Sequence, residues 1–107
     1  MSFPMGTGTK KSTETIVRSE ASTKKPPLYR VLFHNDDYTT MEFVVSVLMT
    51  VFMHDEASAF EVMMRVHTNG VGVAGVYTRE IAETKVAQTV ALARKSDFPL
   101  EVTLEAE

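Results

Sequence analysis

The chain has 107 residues, 44% of them hydrophobic, which is the length of one domain with enough apolar material for one modest core. It contains no cysteine, so disulfides, thiolate nucleophiles and thiolate metal sites are excluded. The net charge of -3 is uneven, +3 over residues 1 to 25 and -6 over the remainder, and an acidic body argues against a nucleic-acid partner.

Residues 1 to 25 are rich in Ser, Thr, Lys and Gly with scattered apolar positions. Such a segment buries too little surface to offset its ordering entropy and reads as a mobile N-terminal tail. Its lysines precede no continuous apolar stretch, so no secretory signal is read and a cytoplasmic location is expected. Pro26-Pro27 closes the tail with a stiff extended step, and Leu28 to His34 has strand composition with Tyr29, Val31 and Phe33 on one face. The run His34-Asn35-Asp36-Asp37-Tyr38-Thr39-Thr40-Met41-Glu42-Phe43 joins that strand to a helical pattern. Thr39 and Glu42 have the spacing of a capping box, which would start the helix and specify the loop locally. Phe43, Val44, Val47, Leu48, Val51 and Phe52 recur at helical spacing and predict a first helix to about Met53. This stretch is much shorter than the roughly 20 residues that span a bilayer, so no membrane span is expected.

Asp55 caps a second helix along which Ala59, Phe60, Met63, Met64 and His67 recur at spacings of three and four, and Asn69-Gly70 ends it. Val71 to Tyr77 alternates β-branched residues with Gly and Ala, a strand whose small residues allow close packing against one face. Thr78 opens a third helix with Glu80 and Glu83 near its start and Arg94 and Lys95 near its end, matching the helix dipole at both ends. Ala82, Val86, Val90 and Ala93 mark its buried stripe. Leu100, Val102 and Leu104 alternate with Glu101, Thr103 and Glu105, the pattern of a strand with one wet face. The order β-α-α-β-α-β over residues 26–107 predicts an α+β domain, a small antiparallel three-stranded sheet packed with three helices.

Gly70-Val71-Gly72-Val73-Ala74-Gly75 matches the dinucleotide fingerprint letter for letter. The context is wrong, because that fingerprint follows a strand and opens a helix, whereas here it follows a helix and is itself a strand. Asp36, Asp37 and His67 have the side chains of a metal site or an acid/base pair, but the run lacks the Gly and distal Glu of a calcium loop. Adjacent acids at a turn are commonly turn and capping residues, and methionines are commonly core filler. Neither a metal nor any other cofactor is expected, and the chain is read as a non-enzyme, with a hydrolase, testable by turnover, as the third reading. What the junction run does offer is three acceptor side chains, Asn35, Asp36 and Asp37, beside the adaptable Met41, a surface suited to a ligand with a cationic head and an apolar tail.

Leu28 to Leu104 resembles ClpS, the adaptor that delivers N-degron substrates to an AAA+ unfoldase of the ClpA type. The matching stretches are Asn35-Asp36-Asp37-Tyr38-Thr39, Met41-Glu42-Phe43-Val44, Met63 through Val66-His67, Gly75-Val76-Tyr77-Thr78, Ala82-Glu83-Thr84-Lys85-Val86 and Pro99-Leu100. Two departures stand out: Thr40 where the family usually has Pro, and Phe33 where it tends to carry a smaller aliphatic residue. The resemblance implies that Asn35 and His67 receive a substrate α-amino group, with Asp37 contributing charge and Asp36 shaping the loop. A free α-amino group, with a reference pKa of about 7.7 to 8.0, is mostly a cation with three donors near neutral pH. It also implies a pocket for a bulky first side chain (Leu, Phe, Tyr or Trp) made by Thr39, Met41, Val44, Met63, Val66 and Leu100, with β-branched side chains colliding with Met41. Glu80 and Lys85 would dock on the unfoldase N-terminal domain, and the tail would be free to enter the unfoldase pore. The implied protein is a monomeric adaptor with peptide and unfoldase partners, no nucleic acid and no membrane. The other reading is a ribosome-associated interaction domain like the C-terminal domain of the stalk protein L7/L12, which has a similar small sheet with three helices.

Overall fold

In the computed structural model, which describes residues 25–107, the apolar periodicities become six elements in the expected order. They are β1 (Leu28–His34), α1 (Met41–Thr50), α2 (Glu56–Asn69), β2 (Val71–Thr78), α3 (Arg79–Lys95) and β3 (Glu101–Ala106). The tail expected over residues 1 to 25 lies, apart from Lys25, outside the described residues. None of the described helices is long and apolar enough to cross a membrane.

β1 takes the centre of the sheet and pairs antiparallel with β2 on one side and β3 on the other. Its inward residues Val31 and Phe33 are completely buried. The helices pack on that inner face, α3 against all three strands and α2 against β2 and α1. Phe33 meets Phe52 edge to face at 5.4 Å, and Val44, Val47, Leu48, Ala59, Val62, Met63, Val66, Ala74, Ala82, Ala93 and Leu100 complete the core. Burying side chains such as Phe33 and Leu48 is worth about 1.5–3 kcal/mol each. The outer face stays wet, with Arg30 paired to Glu105 at 3.2 Å and His34 Nε2 hydrogen-bonded to the Thr103 hydroxyl at 2.8 Å.

Two glycines serve packing rather than phosphate binding. Gly70 closes α2 in the left-handed region, φ 89°, where glycine carries no Cβ penalty. A Cβ on Gly72 would stand 2.8 Å from Val66 Cγ2 and 3.2 Å from the Val62 carbonyl oxygen, so α2 rests directly on the backbone of β2. The β1–β2 register slips at Ala74, between the Val31–Gly75 and Leu32–Val73 pairs. The carbonyl of this bulge residue lies 2.6 Å from His54 Nε2.

Several boundaries differ from the sequence expectation. Thr40, not Thr39, caps α1: its hydroxyl oxygen accepts from the Phe43 N–H at 3.1 Å. The first helix stops at Thr50 rather than Met53, because Met53 turns left-handed (φ 60°) and the His54 N–H donates back to Leu48 O. Asp55 caps α2 as expected, accepting from Ser58 N at 2.8 Å, whereas Thr78 precedes α3 without a side-chain capping bond. The buried stripe of α3 is Ala82, Thr89 and Ala93; Val86 and Val90 are only half-buried, and Thr89 is tolerated inside because its hydroxyl donates to Lys85 O at 2.8 Å.

Candidate functional site

Where β1 stops, the chain cannot run straight into α1, and the junction residues solve the turn with their own side chains. The Asp36 carboxylate accepts from Tyr38 N (2.8 Å), Thr39 N (2.7 Å) and the Thr39 hydroxyl (2.7 Å), an Asx turn closed by an additional hydroxyl. Burial pushes this carboxyl up, but the Thr39 and Tyr38 donors stabilise the anion and hold it below its ordinary value. Thr39 is thereby committed to Asp36, which leaves the capping of α1 to Thr40. One further bond ties the loop to the rest of the domain: Asn35 N–H donates to Gly70 O at 2.9 Å. Gly70 is the C-cap of α2, so this bond brings the loop beside the last turn of that helix, where His67 sits.

The side chains of Asn35, Asp37 and His67 are exposed and take no hydrogen-bond partner among the described residues. All three line a cavity of about 310 Å³, together with Asp36, Thr39, Met41, Val44, Met63 and Val66. One end is therefore polar and acceptor-rich, with two carboxylates and the C-terminal turn of α2, whose partial negative charge also favours a cation. The other end is apolar: Val44, Met63 and Val66 are almost fully buried, while Met41 stands at the rim, 42% exposed. This arrangement can hold a cation at one end and a hydrocarbon or aromatic group at the other. No cluster of three His, Cys, Asp or Glu among the described residues could hold a metal ion.

Nine of the ten residues expected at the amine and side-chain subsites line this one cavity. The exception is Leu100, which lies in the core at 1% exposure and is not part of the lining. Phe33 is likewise absent from the lining, since the inward face of β1 spends it on Phe52. Sequence reasoning missed Gly70 as the residue whose carbonyl places the loop; its signal was the Asn69-Gly70 pair, which marked only the end of α2.

On α3, Glu80 is exposed, and it lines a shallow depression together with Ile81, Thr84, Lys85 and Gln88. Lys85 is half-buried. Its ammonium donates to Val51 O at 2.7 Å and lies 5.3 Å from the Tyr77 ring centroid and 5.9 Å from that of Phe52, so it closes the C-terminal end of α1 as well as facing solvent.

Residues 24–103 match the family model of the ATP-dependent Clp protease adaptor protein ClpS. The ATP-dependent Clp protease adapter protein ClpS of Desulfotalea psychrophila is 52% identical over 98 residues, 92% of this chain and 96% of that protein. The ClpS of Myxococcus xanthus is 57% identical over 84 residues, 78% of each chain. Among solved structures, Agrobacterium tumefaciens ClpS2 bound to L-phenylalaninamide superposes with a TM-score of 0.74 at 44% identity, covering 78% of this chain and all of that one. The chain belongs to the ClpS family, the non-catalytic adaptors of the ATP-dependent Clp protease.

Proposed function

We propose that this adaptor recognises the free α-amino group and bulky hydrophobic first side chain of N-degron substrates and hands them to an AAA+ unfoldase of the ClpA type. The observation that carries this reading is the single cavity with unpaired acceptors at one end and buried Val44, Met63 and Val66 at the other. Asn35 and His67 accept from the ammonium, Asp37 adds charge, and Asp36 holds the loop through its three hydrogen bonds. The ligand of the Agrobacterium relative, L-phenylalaninamide, has the same two features, a free amine and an aromatic side chain. Burial of a Leu or Phe side chain contributes about 1.5–3 kcal/mol before ordering costs, so neither end binds tightly without the other. Thr39 and Met41 frame the entrance to the apolar end, and Met41 excludes side chains branched at Cβ.

Glu80 and Lys85 supply the docking surface for the unfoldase N-terminal domain, in a depression that shares no lining residue with the cavity. The adaptor acts as a monomer in the cytoplasm, where such proteolysis takes place. The stalk-type ribosomal domain is not favoured, since the matches are to ClpS adaptors.

The test is a pair of Leu-initiated peptides differing only in N-terminal acetylation, titrated against the protein by fluorescence anisotropy. The free peptide should bind and the acetylated one should lose at least a hundredfold in affinity, in line with the cost of burying acceptors that receive no donor. Equal affinity would remove the amine from the recognition scheme.

A further inference from the structure

Beside the cavity, and sharing Met41 and Met63 with its lining, α1 and α2 leave a second, more open groove of about 580 Å³. Val45, Met49 and Phe60 line it, with Glu42 at its edge. Phe60 is 54% exposed and Met49 38%, so large apolar groups that could have turned to the core stand in water as a continuous strip. Such a strip marks an interaction surface more often than a solvated helix face. Three of its walls are unbranched methionines, Met41, Met49 and Met63, which adapt to side chains of different shape.

We infer that this groove receives the side chain of the third residue of the same N-degron peptide, an apolar or aromatic one. The inference rests on the cavity being the first-residue site. Its argument is continuity: a ligand seated in the cavity has the groove immediately past Met41 and Met63. In an extended peptide, side chains one and three point the same way about 7 Å apart, while the second points away from the protein. A first side chain in the cavity therefore places the third over the adjoining groove and the second in solvent.

Three fluorescent peptides test this on the full chain: Leu-Ala-Ala, Leu-Ala-Phe and Leu-Phe-Ala, each followed by the same polar sequence. Anisotropy titrations should show Leu-Ala-Phe binding about tenfold tighter than Leu-Ala-Ala, with Leu-Phe-Ala close to Leu-Ala-Ala. Phe60→Ser and Met49→Ser, both at exposed positions outside the cavity lining, should abolish that advantage and leave Leu-Ala-Ala binding unchanged. The groove assignment is overturned if Phe and Ala at the third position bind equally. It is also overturned if the advantage persists in both variants, or if it belongs to the second position. If Leu-Ala-Ala itself fails to bind the unaltered protein, the first-residue reading falls and the groove with it. The control peptide thus separates the two failures.

Discussion

The loop before α1 and the exposed side of α3 both present charged groups, yet they divide labour differently. In the loop, structure and the proposed recognition fall on different residues: Asp36, Thr39 and Thr40 hold the backbone, and their neighbours Asn35 and Asp37 stay exposed. On α3 the residue proposed for docking is itself structural, because Lys85 fastens the end of α1 through Val51 O and the Phe52 and Tyr77 rings. A site of the first kind changes its ligand chemistry without endangering the fold. At a site of the second kind, any change in binding arrives mixed with a change in stability.

The largest effect should come from separating the two aspartates. Asp36→Ala removes three hydrogen bonds to a carboxylate and is expected to lower stability by about 2–3 kcal/mol while abolishing binding of a Leu-first peptide. Asp37→Ala should change stability by less than about 0.5 kcal/mol and weaken the same peptide by about tenfold, as loss of a charge-assisted contact does. Urea unfolding and anisotropy read the two quantities, and equal destabilisation at both positions would erase the proposed division. Acid sharpens the same contrast. Because the folded Asp36 carboxyl lies below its ordinary value of 3.8, its stabilising contribution is complete above that pH and is lost as pH falls through the lower, folded value. Asp36→Asn should flatten this part of the acid unfolding curve.

An intermediate effect is expected on α3. Lys85→Ala should lower stability by about 1–2 kcal/mol, from the lost hydrogen bond and ring contacts, with peptide affinity unchanged. Glu80→Lys should leave stability within about 0.5 kcal/mol yet slow degradation of a Leu-first substrate by the unfoldase and its protease. Thermal unfolding beside a degradation assay separates these outcomes; a stable Lys85→Ala protein would mean that the Val51 contact contributes nothing. The smallest effect is Thr40→Ala, which removes the α1 cap and should cost about 1 kcal/mol, visible as earlier amide exchange in the first turn of α1.

How much of this was legible beforehand follows from the range of the interactions involved. Elements with a strong period and local punctuation, such as α2 between Asp55 and Gly70, could be read because their signals lie within one turn of the chain. The start of α1 was displaced by one residue because two adjacent threonines can both cap, and only the commitment of Thr39 to Asp36 decides between them. The Ala74 bulge and the His34–Thr103 contact need a strand partner far away in sequence, which no local pattern reports. Phe60 shares the helical spacing of Met63 and Met64, but Val62 and Val66 take core-facing positions and leave it outside. Leu100 illustrates the same limit at the site: alternation shows that it points inward, not whether it ends behind the cavity wall or in it.

Gly72 touches no ligand, yet its bare backbone is the stop against which α2 comes to rest, with Val66 pressed on it from one side and facing the cavity on the other. Even a methyl group there would shim the helix outward and alter the clearance opposite α1. The width of the cavity is thus calibrated from behind, by a position that any survey confined to lining residues would pass over.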